Sequence, residues 1–274
     1  MTRATVRDIA ERYEAGETLA MLTAYDATMA RLVDAGGVDM ILVGDSAADN
    51  HHGYPDTIPL TMDEALSNTA AVTRAVEDAM VIADLPFLSY GTSIADSVTN
   101  AGRFMKEADA DAVKLETPPG GSMTVEIVER LTELGIPVMG HVGLTPQHIP
   151  QLGGAFVQGR DHDRSAPAAD IVDTATRLEA AGAFSVVIET VTEEVGKEVT
   201  ESVDIPTIGI GAGRHVDGQV LVLNDALGLT PEPYSLSKEY ANLGEIIEAA
   251  ISEYVADVRT GEFPAEEHVF DPIE

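Results

Sequence analysis

Apolar segments that resemble β-strands recur along this chain, and several of them end on a charged or ionisable side chain. The spacing between these ends is about one strand–loop–helix–loop unit, which predicts βαβ repeats and a parallel sheet. In a closed parallel barrel the strand C-termini meet at one mouth, where active sites are built. The chain is therefore predicted to be an α/β protein, a (β/α)8 TIM barrel. The side chains expected at its mouth are Asp45, Asp84, Lys114 with Glu116, His141 and Glu189.

Eight strands are predicted, with an opening helix before them. Thr5 is the expected N-cap of that helix, with Asp8 three residues later completing an approximate capping box. The predicted strands are residues 19–24, 40–44, 80–84, 112–116, 138–141, 184–189, 207–210 and 219–223.

Helical periodicity fills the intervals between most of the strands. Thr61 and Ser122 are expected N-caps, and residues 47–59 and 145–166 are expected to form long loops. The apolar face of the last helix must cover either the barrel flank or a neighbouring subunit. The predicted helices are residues 26–35, 62–76, 94–107, 123–134, 168–181, 193–202 and 243–258.

The 274 residues are compatible with one domain, with the barrel at about 19–235 and a C-terminal helix and tail at 236–274. The chain has no cysteine, which excludes disulfides, a thiolate nucleophile and cysteine-ligated zinc. It shows neither a signal-peptide pattern nor an apolar run long enough to span a membrane, so a cytoplasmic location is expected.

The charge balance is strongly acidic, with 47 Asp and Glu against 16 Lys and Arg and a net charge of −31. Such a surface disfavours nucleic acid as a partner. Self-repulsion at this density is relieved at molar salt, where the Debye length is about 3 Å. The composition predicts adaptation to high internal salt, as in extreme halophiles, although an ordinary acidic protein is the alternative.

The acids at the predicted mouth suggest a metal site. Asp45, Asp84 and Glu116 form an oxygen-donor set suited to Mg²⁺, although an isolated Asp after a strand is as often a helix cap or a turn residue. Lys114 and Glu116 are two residues apart and point the same way. They would hold a substrate carboxylate and a metal, or form a buried ion pair that only fixes packing.

The remaining polar residues have several possible roles. Glu189 follows an apolar run, so partial desolvation would make it a better base near neutrality, or it is a surface residue at a strand end. His141 would donate a hydrogen bond to developing negative charge, or is a satisfied core histidine. Ser46 can hydrogen-bond a substrate carboxylate. Adjacent His51 and His52 favour a solvated loop over a metal pair.

Seven short motifs in order along the chain resemble those of the ketopantoate hydroxymethyltransferase family, and the likeness covers about residues 21–229. The motifs are MLTAYD at 21–26, LVGDS at 42–46, ADLPF at 83–87, VKLE at 113–116, GHVGLTPQ at 140–147, VQGR at 157–160, and IGIGAG at 208–213 with DGQ at 217–219.

The resemblance implies transfer of a one-carbon unit from 5,10-methylenetetrahydrofolate to 3-methyl-2-oxobutanoate in coenzyme A biosynthesis, giving 2-dehydropantoate. It implies Mg²⁺ held by Asp45, Asp84 and Glu116. It also implies keto-acid binding by Ser46 and Lys114, with Asp45 and Asp84 touching the substrate, and Glu189 as proton acceptor. The implied assembly is a homo-oligomer, a decamer built as a pentamer of dimers.

Two segments depart from the family pattern. The stretch AADN at 47–50 replaces the usual continuation after Ser46, and the TPPGG stretch at 117–121 is longer than usual. These changes leave the contacts to the folate open, and a modified pterin is an alternative donor. A Mg²⁺-dependent C–C lyase or mutase of the phosphoenolpyruvate/isocitrate lyase type, or a non-catalytic keto-acid-binding protein, are the alternative functions.

Overall fold

The computed structural model describes residues 3–160, 163–230 and 236–270. The chain forms two compact units, Met1–Val222 and Leu223–Glu274. The expectation of one domain with a barrel at about 19–235 stays a prediction.

Eight parallel strands in the first unit close into a barrel. The ring is completed because β1 pairs with β2 on one side and with β8 on the other. This architecture confirms the predicted (β/α)8 barrel. The strands are β1 (Leu19–Thr23), β2 (Met40–Val43), β3 (Met80–Asp84), β4 (Ala112–Lys114), β5 (Val138–Gly143), β6 (Ser185–Glu189), β7 (Thr207–Ile210) and β8 (Gly218–Leu221).

Helices follow most of the strands, and two further helices, α10 and α11, belong to the second unit. No helix in the described part of the chain is both long and apolar enough to cross a membrane. The helices are α1 (Val6–Glu14), α2 (Ala27–Ala35), α3 (Ala47–Asn50), α4 (Met62–Thr73), α5 (Ile94–Glu107), α6 (Ser122–Glu133), α7 (Ile149–Leu152), α8 (Ala168–Ala180), α9 (Glu193–Ser202), α10 (Leu223–Ala226) and α11 (Leu243–Thr260).

The barrel interior is filled by side chains that alternate along the strands. Met80 and Ile82 of β3 belong to this inner cluster, as do Met40 and Leu42 of β2. Successive side chains of a strand point to opposite faces, so every second residue of β3 points inward and Asp84 is the next inward position. The alternation that builds the core therefore also places a carboxylate above it.

The first helix closes the amino-terminal end of the barrel. Thr5 caps α1 and forms the predicted capping box with Asp8. Ile9 of this helix is 1% exposed and belongs to the inner cluster. The Arg3 guanidinium adds a hydrogen bond of 2.8 Å to Asp111, which lies just before β4. This end of the barrel is thus packed, which leaves the carboxyl end of the strands for a site.

Several predicted boundaries were wrong by a few residues. Ser122 is not an N-cap, because α6 begins at Ser122 itself and Gly121 occupies the cap position. The Gly121 N–H closes a turn on Pro118 O at 2.8 Å, which starts the helix one residue early. The segments at 47–59 and 145–166, predicted to be loops, contain the short helices α3 and α7.

The second unit contains the predicted C-terminal helix, extended by two residues to Thr260. Gly261 then ends α11 with φ of +83°, a left-handed conformation that glycine adopts at little cost. None of the residues of α11 is buried. What covers its apolar face stays a prediction.

Candidate active site

The carboxyl end of the barrel carries an ion pair between neighbouring strands. Asp84 and Lys114 are register partners across β3 and β4. Lys114 Nζ lies 2.7 Å from Asp84 Oδ2, and their side chains are 5% and 2% exposed. The strand register thus pairs Lys114 with Asp84 and not with Glu116, which lies beyond the end of β4.

A second carboxylate adjoins this ion pair. The Asp45 N–H donates to Asp84 Oδ2 at 3.3 Å, and the Asp45 side chain accepts a bond from Gln147 Nε2 at 3.0 Å. Asp84 Oδ1 is buried and has no hydrogen-bond partner among the described residues. The two aspartates predicted to act together therefore lie together, with one oxygen unsatisfied.

Burial and charge shift the pKa values of this cluster in opposite directions. Burial, followed by the negative charge of Asp84, raises the pKa of Asp45 to about 7. Burial alone would lower the pKa of Lys114, but the surrounding carboxylates, Asp84 first, outweigh it and raise that pKa. One lysine thus faces more buried carboxyl groups than it can neutralise.

Gln147 connects the parts of the cluster, and no role was predicted for it. Its amide nitrogen Nε2 also donates to Leu85 O at 3.0 Å, and its Oε1 accepts from Tyr90 OH at 2.9 Å. Its backbone N–H donates to both Glu116 carboxylate oxygens, at 3.3 and 3.1 Å. Gln147 thereby orients Asp45 and Glu116 together. The available signal was its place at the end of the 140–147 motif.

Glu116 is the third predicted metal-associated carboxylate and is 1% exposed. Burial first, and then the charge of Asp45, raises the pKa of Glu116 well above its usual range. Thr117 N–H donates to His141 O at 2.9 Å, so the extended backbone continues past Lys114 and Glu116 remains on the inner face.

On the next two strands of the barrel, β5 and β6, His141 and Glu189 face each other. Glu189 Oε2 lies 3.3 Å from His141 Nε2, and the side chains are 20% and 1% exposed. Burial, followed by the charge of Lys114, lowers the pKa of His141. The imidazole is therefore neutral at neutral pH and lies against the carboxylate predicted to act as the base.

Ser46 follows Asp45 at the end of β2 and is held by an aromatic hydroxyl. Tyr25 OH and Ser46 Oγ are 2.9 Å apart. Burial is the main reason why the pKa of Tyr25 is raised, so its hydroxyl stays protonated. His51 is exposed, as expected for a solvated loop, whereas His52 is half-buried with its Nε2 3.0 Å from Asn68 Nδ2.

The glycine-rich segment at 209–213 makes close contacts within the chain. Gly213 has φ of +83°, and a Cβ there would lie 2.5 Å from Glu193 Cγ. A Cβ at Gly209 would lie 2.9 Å from a Val216 methyl carbon. These glycines allow β7 to pack against its following loop and the first turn of α9.

The donor chemistry of the cluster fits a hard divalent cation. Asp45, Asp84 and Glu116 offer carboxylate oxygens, the ligands that Mg²⁺ prefers, and Asp84 Oδ1 lacks any other partner. Among the described residues, however, no three His, Asp or Glu side chains converge closely enough to hold a metal ion. The shared ligation of one ion by all three stays a prediction.

Comparison with known sequences gives one consistent family. Residues 3–266 match the family model described as ketopantoate hydroxymethyltransferase. A 3-methyl-2-oxobutanoate hydroxymethyltransferase of Halobacterium salinarum is 51% identical over 264 residues, covering 96% of this chain and 94% of the relative. That of Thermotoga maritima is 52% identical, covering 93% and 92%. That of Geobacter metallireducens is 47% identical, covering 97% and 98%.

Solved structures with the same fold are more distant in sequence. A phosphonopyruvate hydrolase superposes with a TM-score of 0.62 at 15% identity, covering 100% of this chain and 92% of that one. A 2,3-dimethylmalate lyase superposes with a TM-score of 0.62 at 14% identity, covering 97% and 89%. These likenesses show the barrel fold alone.

Proposed function

The chain belongs to the ketopantoate hydroxymethyltransferase family, a family of transferases, and we propose that it converts 3-methyl-2-oxobutanoate to 2-dehydropantoate with 5,10-methylenetetrahydrofolate, or a related pterin, as the donor. The observation that carries this proposal is the cluster at the barrel mouth. Buried carboxylates, a lysine and a candidate base lie together there. The chain is also about half identical to relatives named 3-methyl-2-oxobutanoate hydroxymethyltransferase.

Binding of the keto acid is assigned to Lys114 and Ser46, with Asp45 and Asp84 lining the same place. Lys114 is a cation with three N–H donors, and Asp84 accepts one of them. A substrate carboxylate can accept another. The Ser46 hydroxyl, held by Tyr25, is a second donor for that carboxylate. Together they fix the substrate so that its C3–H faces Glu189.

The residues that would hold Mg²⁺ are Asp45, Asp84 and Glu116. When bound, the ion supplies Lewis-acid stabilisation of negative charge at the carbonyl oxygen, which is worth several kcal/mol. Gln147 orients two of these carboxylates, so its role in the site is positional.

Proton removal from C3 is assigned to Glu189. This carboxylate ends β6 at the mouth and retains 20% exposure, enough for contact with a substrate. The neutral His141 ring lies against Glu189 and can hydrogen-bond it or the developing negative charge, the role predicted for it as a substrate-binding residue. The same carboxylate can hold the proton until the donor nitrogen takes it up.

The overall reaction balances with one water molecule. The C3–H bond breaks, a bond forms between C3 and the methylene carbon, and both carbon–nitrogen bonds to the carrier break. Water supplies the hydroxyl group of the product. One proton from C3 and one from water go to the carrier nitrogens.

The test separates the first half of the reaction from the second. The protein is incubated in D₂O with 3-methyl-2-oxobutanoate and Mg²⁺ in molar KCl, and deuterium at C3 is followed by NMR. Exchange is expected without donor, and 2-dehydropantoate is expected once methylenetetrahydrofolate is added. The variant Glu189→Gln should lose exchange, whereas Glu201→Gln, a surface glutamate on α9, should retain it.

The outcomes also separate the alternatives. A non-catalytic keto-acid binder would show no exchange, and a lyase or mutase would show exchange but no 2-dehydropantoate. Full exchange by Glu189→Gln would remove Glu189 as the base.

We also propose that the chain works as a homo-oligomer, a decamer by the family resemblance. Support comes from α11, which carries apolar side chains such as Ile246, Ile251 and Tyr254 and buries none of them. Sedimentation velocity in molar KCl measures the assembly directly, and a monomer under those conditions would contradict the proposal.

A further inference from the structure

Tyr90 lies in the segment that follows β3 and is 7% exposed. No role was predicted for it, and none of the assigned substrate contacts involves it. Its hydroxyl nevertheless meets two members of the carboxylate cluster. The oxygen lies 2.9 Å from Gln147 Oε1 and 3.2 Å from the Glu116 backbone nitrogen. A buried tyrosine that bonds two site residues at once is a candidate for a role in the site.

The direction of each bond follows from the donors and acceptors present. A tyrosine hydroxyl has one proton to donate and lone pairs with which to accept. Gln147 Oε1 can only accept, and the Glu116 N–H can only donate. Tyr90 therefore donates to Gln147 and accepts from Glu116. Its 3.4 Å approach to Glu116 O has no second proton and is weak.

The first of these bonds completes the contacts of the Gln147 amide. Gln147 is 3% exposed, and its Nε2 donates to Asp45 Oδ2 and to Leu85 O, both at 3.0 Å. Tyr90 supplies the donor that the remaining amide oxygen requires. A buried carbonyl oxygen that loses its donor is unfavourable, so removing the hydroxyl would favour movement of the amide. Such movement would break its contact with Asp45.

The second bond holds the backbone at Glu116, which lies beyond the end of β4. The next N–H, that of Thr117, donates toward the β5 side, to His141 O. The Glu116 N–H instead donates to Tyr90, in the segment that follows β3. Glu116 is therefore held twice, at its backbone by Tyr90 and at its carboxylate by the Gln147 N–H.

The segment around Tyr90 is itself anchored to α5. Ser89 O accepts from Asn100 Nδ2 at 2.6 Å, and the Gly91 N–H donates to Ser97 Oγ at 3.1 Å. The residues on both sides of Tyr90 are thus bonded to one helix. This anchoring limits the freedom of the tyrosine, so its hydroxyl can act as a fixed point for the cluster.

The turn before Tyr90 contains an unfavourable backbone conformation. Leu88 has φ of +60°, in the left-handed region that is costly for a leucine. Such outliers persist where the surrounding structure enforces them, and they concentrate at functional sites. Here the outlier lies two residues before the side chain that bonds the cluster.

We propose that Tyr90 is a positioning residue of the metal site and acts through Gln147 and Glu116. This inference rests on the proposed function, which assigns Mg²⁺ to Asp45, Asp84 and Glu116. By holding two of these carboxylates in place, directly or through Gln147, Tyr90 lowers the rearrangement that the ion requires on binding. Loss of its hydroxyl should therefore weaken the ion and spare the chemistry once the ion is bound.

The experiment titrates Mg²⁺ calorimetrically into the full chain in molar KCl without substrate. The variants are Tyr90→Phe, which removes the hydroxyl and keeps the ring, Gln147→Leu, and the two combined. The control is Tyr54→Phe, because the Tyr54 hydroxyl donates a similar bond, 2.8 Å long, to Glu64 on α4 and contacts no proposed ligand. Donor-free deuterium exchange at C3 of the keto acid, followed against Mg²⁺ concentration, is the second measurement.

We expect the dissociation constant for Mg²⁺ to rise about tenfold in Tyr90→Phe and to be unchanged in Tyr54→Phe. The combined variant should lose less affinity than the product of the two single effects, because the replaced side chains share one bond. In the exchange assay, Tyr90→Phe should need about tenfold more Mg²⁺ for half its maximal rate. Its rate at saturating Mg²⁺ should stay within about twofold of the wild type.

Unchanged Mg²⁺ affinity in Tyr90→Phe, single effects that multiply, or a strongly lowered exchange rate at saturating Mg²⁺ would each overturn the inference. Circular dichroism shows whether the variants fold. If Tyr90→Phe does not, Asn100→Ala takes its place: it removes the anchor of Ser89, and unchanged Mg²⁺ affinity would again overturn the inference. A wild type that does not bind Mg²⁺ overturns both the inference and the metal assignment. A wild type that binds Mg²⁺ without exchange contradicts the proposed function, while the affinities still decide the role of Tyr90.

Discussion

The raised pKa of Asp45 makes a quantitative prediction for the stability of the metal-free protein. In the folded state burial and Asp84 raise that pKa from 3.8 to about 7. The folded protein therefore holds a proton on Asp45 that the unfolded chain has already released. Between about pH 4 and pH 7 the unfolded state binds fewer protons, so stability must fall as pH rises through this window.

The size of the effect follows from the same two values. The interval from 3.8 to about 7 corresponds to roughly 4 kcal/mol, at about 1.4 kcal/mol per pH unit. Asp45→Asn removes the titration and retains an oxygen that can accept from Gln147 Nε2. The free energy of unfolding of the wild type minus that of Asp45→Asn should thus decrease by roughly 3 kcal/mol from pH 4 to pH 7, because the remainder of the effect falls below pH 4 and above pH 7.

Urea unfolding in 2 M KCl with a chelator, at several pH values, measures this difference. Ser89→Ala serves as the control, since Ser89 is buried, does not titrate, and its side-chain hydroxyl has no hydrogen-bond partner among the described residues. Its difference from the wild type should not vary with pH. With saturating Mg²⁺ the decline of the wild type should shrink, because the ion binds the deprotonated carboxylate. A difference between the wild type and Asp45→Asn that is constant, or that rises with pH, would refute the argument.

Three further results are expected. Lys114→Met should cost about 3–5 kcal/mol of stability, because it leaves Asp84 as an uncompensated buried charge. The same variant should abolish keto-acid binding in calorimetry. Lys114→Arg, which keeps the charge, should lose less stability, and an equal loss in both variants would contradict this prediction. Gln147→Leu should weaken Mg²⁺ binding about 10–100-fold in calorimetry, because the variant removes a group that orients the carboxylate ligands. An unchanged affinity for Mg²⁺ would show that Gln147 does not orient the carboxylates. Raising KCl from 0.1 to 2 M should increase the thermal midpoint, because salt screens a net charge of −31; a midpoint that is highest at low salt would contradict the halophilic interpretation.

Local patterns were enough to predict the barrel. Alternation of apolar residues marks the strands, and the Thr5 capping box and the Thr61 cap mark where two helices begin. These signals depend on neighbours within a few residues, which the sequence displays directly. The error at Ser122 arose because the turn from Pro118 to Gly121 competes with side-chain capping. That competition is decided by backbone geometry rather than by residue type.

The membership of the site could also be predicted, but not its pairing. Asp84, Lys114 and Glu189 reach the mouth because each ends an apolar strand. Which carboxylate meets Lys114 depends on the register between β3 and β4, a long-range property that a strand pattern does not encode. Gln147 was missed for a related reason. It lies in a short 3-10 turn after β5, and only the folded chain shows its contacts with Asp45, Leu85 and Glu116.

The unbalanced charge of the cluster connects stability with function. A set of buried acids around one lysine is unfavourable in an isolated chain, as the raised pKa values of Asp45 and Glu116 indicate. The same excess of negative charge favours a divalent cation, and binding of that cation would return the lost stability. Replacing Asp45 or Glu116, the acids outside the ion pair with Lys114, with a neutral residue should therefore stabilise the metal-free protein while removing its activity. A metal site whose ligand residues destabilise the metal-free protein shows this trade-off between stability and activity. An ion pair that only fixes packing does not.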